Sequence, residues 1–199
     1  MTRKIRTGER RAQIIQAALS CFTELGYAKT TMVHIRCRSE ASTGSIYHHF
    51  KSKEQLAAVV YLEGIRNYQH GLLQVLEQEK RAREGIFGMV RYHLRWVADN
   101  QDWARFLTQL RHAEFMAGTE ESFRTLNQKF AQGISGWVIE QVTKKKIKRF
   151  QRDVFISLLL GPCQEYARQW LAGYGVTEPA TAGEQIASAV WQALRYGGR

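Results

Sequence analysis

The feature that most constrains this chain is an apolar pattern with the 3.6-residue period of an α-helix, sustained through 199 residues that include only 2 prolines. That combination predicts an all-α protein. The stripe Ile15, Ala18, Leu19, Phe22 and Leu25 predicts a first helix over 9–25, with Gly26 just past its end as a C-terminal cap. Thr31 is placed to cap a second helix over 32–39, with Met32 and Ile35 facing inward. Ser42 is placed to cap a third over 43–49, anchored by Ile46 and Tyr47, with Phe50 packing back beneath the trio. Lys53 opens a long fourth helix to about Lys80, with an apolar stripe of Leu56, Val59, Val60, Ile65, Tyr68, Leu72, Val75 and Leu76. Further helices are expected near 84–99, 102–113, 120–144, 151–172 and 182–196. Breaks are expected at Gly118-Thr119 and Gly173–Pro179, and a kink at Gly161-Pro162, because Pro162 has no N–H to give Leu158. The expected domains are 1–52 and 53–199.

Charge is distributed unevenly along this framework. Of the formal net charge of +11, residues 1–53 carry +7, from ten Lys/Arg against three acids. Residues 54–199 hold 19 basic and 15 acidic residues, and five of those basics lie in the single run KKKIKR at 144–149, expected to be a solvated loop, with a second nucleic-acid or membrane contact as the alternative. A basic head on a nearly neutral body is the electrostatic footprint of a nucleic-acid partner. A membrane surface fits less well, since the head has no continuous basic amphipathic helix. The start, MTRKIRTGERR, lacks the apolar stretch of a secretory signal, and no run is long and apolar enough to span a bilayer, so a cytoplasmic location is expected.

The segment 30–56, TTMVHIRCRSEASTGSIYHHFKSKEQL, narrows the partner further. Its third helix carries hydroxyls, a glycine and two histidines where a packing helix would carry leucines. Such a helix is suited to lie against a polar surface, and the flanking cations suggest a DNA groove. Gly26-Tyr27, Thr30-Thr31, Ile35, Ser42, Gly44, Ile46-Tyr47, His49-Phe50 and Lys53-Glu54-Gln55-Leu56 together resemble the signature of tetracycline-repressor-type (TetR/AcrR family) transcriptional regulators. The resemblance covers the first quarter of the chain. It implies a three-helix helix-turn-helix DNA-binding domain followed by a helical ligand-binding and dimerisation domain. It also implies roles by position. Thr43, Ser45 and His48 would lie nearest base edges, and Thr31, Tyr47, His49 and Lys53 would contact phosphates. Gly44 would let the backbone approach the duplex, and Ser42 would cap the helix that does so. Three residues depart from the family pattern: His34 where Asp is usual, Arg36 where a small Ala is common, and Glu40 where the turn often has Gly. Arg3, Lys4 and Arg6 are expected to form an arm ahead of the first helix.

The body is aromatic-rich. Core packing explains any one ring, but collectively Trp96, Trp103, Phe106, His112, Phe115, Trp137, Tyr166 and Trp170 suit an apolar effector cavity, with Arg95, His112, Glu114 or Glu165 as polar handles. The resemblance implies a small-molecule effector there, a double-stranded operator, and a homodimer formed by the helices near 151–172 and 182–196. The alternative is a DNA-binding dimer without small-molecule control, answering to a protein partner or to oxidation at Cys37, which sits between Arg36 and Arg38. No cofactor or metal is expected: Cys21, Cys37 and Cys163 are widely spaced, and His48-His49 point too far apart to chelate. No G-x-S-x-G, P-loop, H-E-x-x-H or dinucleotide fingerprint suggests an enzyme.

Overall fold

Residues 2–109 and 120–197 are described by the computed structural model, and every regular element among them is helical. In chain order they are α1 (Thr2–Leu25), α2 (Met32–Ser39), α3 (Thr43–His49), α4 (Lys53–Gln78), α5 (Ala82–Asp99), α6 (Gln101–Gln109), α7 (Glu120–Thr143), α8 (Arg152–Leu171) and α9 (Pro179–Leu194). Among the described residues no helix is long and apolar enough to cross a membrane. The helix starts and stops follow the sequence signals closely. Gly26 takes φ +80, which only glycine adopts without strain, and the chain turns there toward α2. α1 differs in one respect: it begins at Thr2, so Arg3, Lys4 and Arg6 belong to the helix rather than to an arm ahead of it.

Packing divides the chain elsewhere than at residue 52. One compact unit comprises Met1–Ile65 with Asp102–Phe123; the other comprises Arg66–Gln101 with Arg124–Arg199. The cause is the side of α4 that carries Leu56, Ala57, Val60 and Tyr61, which is buried in the same core as α1–α3. In that first unit Ile14, Ile15, Ala18, Leu19 and Phe22 of α1 meet Ile35, Ile46 and Phe50. Each large side chain removed from water there contributes about 1.5–3 kcal/mol. Leu25, the last residue of the expected stripe, is 43% exposed and takes no part. Phe106 of α6 closes the core by stacking on Phe22, with ring centroids 5.3 Å apart.

In the second unit α5 is the central helix. Ile86, Met89, Val90, Leu94 and Val97 are all buried, and α5 packs most extensively on α9 and α8. Arg91 on its outer side forms a two-pronged pair with Glu184 at 2.5 and 2.7 Å. Gly85 provides a flat bed for Trp137, whose Nε1 donates to the Glu79 carbonyl at 2.8 Å. α8 runs through Gly161-Pro162 as a single helix. α9 has two apolar sides: Ala182, Ala187, Val190 and Leu194 are buried, whereas Ala189 and Ala193 face outward beside a half-buried Ile186.

Two substitutions test this account. A Cβ at Gly85 would overlap the Trp137 ring, so Gly85→Ala is expected to lower the unfolding free energy by about 1–3 kcal/mol in denaturant titration. Glu40 holds a left-handed φ of 51, so Glu40→Gly is expected to raise it by about 0.5–1 kcal/mol.

Candidate nucleic-acid interface

Two caps and one turn build the polar face of the first unit. Thr31 Oγ1 accepts from the His34 N–H, and the Thr31 N–H donates to His34 Nδ1, both at 3.3 Å. His34 therefore closes a reciprocal capping box with an imidazole in the place of the usual carboxylate. That role requires a bare Nδ1 and hence a neutral ring with its proton on Nε2. α2 ends at Glu40, whose left-handed backbone lets the Ala41 N–H reach the Arg36 carbonyl at 3.2 Å. Ser42 then caps α3, its Oγ accepting from the Ser45 N–H at 3.1 Å.

α3 is fixed by its inner side alone. Ile46 is its one buried residue, and Phe50, 1% exposed, follows directly. Ser42, Thr43, Gly44, Tyr47 and His48 are exposed, and Ser45 and His49 are half-buried. Tyr47, expected to help anchor the helix, is 44% exposed instead, because it lies one residue round from Ile46. A Cβ at Gly44 would meet nothing within 4 Å. No internal packing demands glycine there, which leaves close approach from outside as its physical rationale. The His49 pKa is lowered, first by burial and then by the charges of His48 and Arg11, so this ring favours its neutral form.

Lys53, expected to contact a phosphate, has an internal task as well. Its ammonium donates to the Tyr27 and Ala28 carbonyls at 3.0 and 3.4 Å, and stands 4.4 Å above the Tyr27 ring. It ties the start of α4 to the segment just after α1. Other cations are also engaged internally: Arg11 with Glu63 at 2.7 Å, Arg38 with Glu24 at 2.5 Å, and Arg10 with the Ser39 carbonyl at 3.1 Å. Lys29 and Lys51 are exposed, and their ammonium groups have no partner among the described residues. Cys37 is exposed, with an Arg36 guanidinium nitrogen 3.6 Å from its sulfur.

The described residues among the expected effector set are divided between the two units. His112, Phe115 and the handle Glu114 lie outside the described residues. Phe106 belongs to the core of the first unit, and Trp103 of that unit lies against Gly64. In the second unit, Trp96 donates to Asn67 Oδ1 at 2.7 Å, and Trp137 is occupied by Gly85 and Glu79. Tyr166 donates to the Thr177 carbonyl at 2.5 Å, and Trp170 lies against Gly175. Arg95 is exposed. Glu165 pairs with Arg168 and Gln169 on the surface, which pulls its carboxyl down to about 2.

Two polar pairs the sequence pattern did not mark lie in the second unit. The Tyr68 hydroxyl and His93 Nδ1 are 2.7 Å apart, and Gln69 Nε2 donates to Asn127 Oδ1 at 2.8 Å. Gln69 Oε1 and His93 Nε2 are buried with no hydrogen-bond partner. The available signal was polarity itself: Gln69 and His93 are polar residues that fall among the buried positions of α4 and α5.

Residues 14–60 match the family model described as bacterial regulatory proteins, tetR family. The chain is 29% identical over 134 residues to an HTH-type transcriptional repressor of Mycobacterium tuberculosis, covering 60% of this chain and 67% of that one. It is 35% identical over 69 residues to an HTH-type transcriptional regulator of Aromatoleum, which spans 30% of that relative's length. It is 21% identical to the fatty acid metabolism regulator protein of Bacillus subtilis, over 80% and 82% of the two chains. Among solved structures, a TetR family regulator from Marinobacter aquaeolei superposes with a TM-score of 0.82 at 17% identity, covering 99% of this chain and all of that one. The Bacillus subtilis regulator FadR in complex with stearoyl-CoA superposes at 0.76 and 18% identity, over 90% and 96%. These structures share the all-helical fold, and the named relatives are transcriptional regulators rather than enzymes.

Burial pushes the His93 pKa from 6.5 down to about 4. The unfolded chain thus takes up the proton first as pH falls. The contribution of neutral His93 is complete above pH 6.5 and is lost on acidification toward 4, a total of about 3 kcal/mol. His93→Gln is expected to flatten the fall of unfolding free energy between these pH values; an unchanged slope would remove His93 as its source.

Proposed function

The chain belongs to the tetR family of bacterial regulatory proteins, and from that premise we propose that it is a cytoplasmic homodimer that represses transcription from a palindromic operator and is released by a small-molecule effector. The observation that carries the DNA-binding part is α3 itself, a capped polar helix whose exposed side holds short side chains and an unpacked glycine. On this proposal Thr43, Ser45 and His48 face base edges, because short side chains permit close entry to the major groove. Thr31, Tyr47 and His49 contact phosphates, and Ser42 fixes the start of α3. Lys53 acts through position, holding α4 against the turn that follows α1.

The functional division is a head over 1–52 and an effector-binding and dimerising body over 53–199. Dimerisation through α8 and α9 is supported by their outward sides. Val154, Leu158, Gly161 and Pro162 line one side of α8 in exposed or half-buried positions, and Ile186, Ala189 and Ala193 do the same on α9. Two heads would then enter successive major grooves about 34–36 Å apart. Effector control is supported by the unpartnered Gln69 Oε1 and His93 Nε2, which call for a guest with a hydrogen-bonding group. The guest must bind the released and DNA-bound states differently to shift anything.

Selection from random double-stranded DNA at about 150 mM salt, where non-specific attraction is weakened, tests the proposal. An enriched palindrome is expected, and the recovered duplex becomes the probe for release by small molecules. Binding without enrichment would sink the operator assignment. Thr43→Ala is expected to alter base preference by about 1 kcal/mol at one position of each half-site, whereas Tyr47→Phe weakens binding to all sequences alike.

A further inference from the structure

The run 144–149 is solvated at its cations but braced at its centre. Ile147 at its centre is 0% exposed and forms an antiparallel bridge with Arg195. The Lys148 N–H donates to the Leu194 carbonyl and the Tyr196 N–H to the Lys146 carbonyl, each at 2.9 Å. On the other side, the Lys146 N–H donates to the carbonyl of Gln141, a residue 1% exposed. Lys145 takes a left-handed φ of 52 to make the turn. Lys148 has an internal task, since its Nζ donates to the Ala193 carbonyl at the end of α9 at 3.2 Å. Lys144 is paired with Glu140 at 2.5 Å. Lys145, Lys146, Arg149 and Arg195 remain exposed, with no acidic partner among the described residues.

We propose that this braced basic knuckle is a second contact surface for duplex DNA, on the body and separate from α3. Without these five cations, residues 54–199 would hold 14 basic against 15 acidic residues, so the positive charge of the body is concentrated here. A backbone held at both edges presents cations without the ordering cost of a flexible tail. A regular polyanion rewards such an array, because each phosphate neutralised releases condensed counterions. Tyr196, 51% exposed beside the bridge, adds a hydroxyl suited to a phosphate oxygen. A bilayer is the poorer partner: the run's one apolar side chain, Ile147, points inward and leaves no anchor.

The test uses the full chain and a mixed-sequence duplex several turns long. Lys145, Lys146 and Arg149 are changed together to Gln, and Lys148 is kept because it holds the end of α9. In a background whose head is disabled by Ser45→Glu and Tyr47→Ala, residual duplex binding is expected with a log–log salt slope of about −3. The triple change is expected to abolish that binding while circular dichroism shows the helices intact. With the head intact, the triple change is expected to reduce the salt slope by about 2–3. Absence of duplex binding by the head-disabled protein, or an unchanged slope in the triple variant, would overturn the proposal. So would binding of the head-disabled protein to phosphatidylserine vesicles in place of duplex.

Discussion

A seven-residue helix cannot hold itself in water, and the polar surface proposed to meet DNA is displayed on one. α3 forms because Ile46 and Phe50 are drawn into a core already closed by Ile14, Leu19 and Phe22 of α1, Ile35 of α2 and Leu56 of α4. The outward side of α3 is then free of any packing duty, and its residues can be chosen for what they meet outside. The same constraint explains why the start of α4 is locked to the head. If Leu56, Ala57 and Val60 left that core, Ile46 and Phe50 would lose part of their cover.

The electrostatics of the head follow the same division of labour. Arg10, Arg11, Arg38 and Lys53 are spent on internal carbonyls and carboxylates that fix helix against helix. The ion pairs among them are exposed and contribute little to stability. The ammonium groups of Lys29 and Lys51 have no internal partner among the described residues.

What was legible in the sequence is what is local. Gly26, Thr31 and Ser42 each satisfy or free backbone groups within a few residues, so their roles could be read from spacing. The α3 surface could be read because its polarity conflicts with packing. What depended on tertiary partners was not legible. His34 stands out in the sequence only as a departure from the usual Asp, and that its Nδ1 completes the cap is visible only in the structure. Lys53 looked free because Tyr27 and Ala28 are far from it in sequence. The aromatic stripes of the body announced burial but not address: Phe106 lies in the first unit, and Trp96 and Trp137 in the second. Gln69 and His93 could not be singled out until the absence of partners for two of their atoms was visible.

Those two atoms also set a scale for regulation. A buried polar group without a hydrogen bond costs roughly 1–3 kcal/mol, and allosteric coupling free energies are typically 1–3 kcal/mol. On the proposed effector control, a guest that supplied a partner to Gln69 Oε1 or His93 Nε2 in only one state of the body would bring differential energy on that scale. Neutral His93 offers such a guest a hydrogen bond and no charge. Gln69 lies on α4, the helix that begins at Lys53.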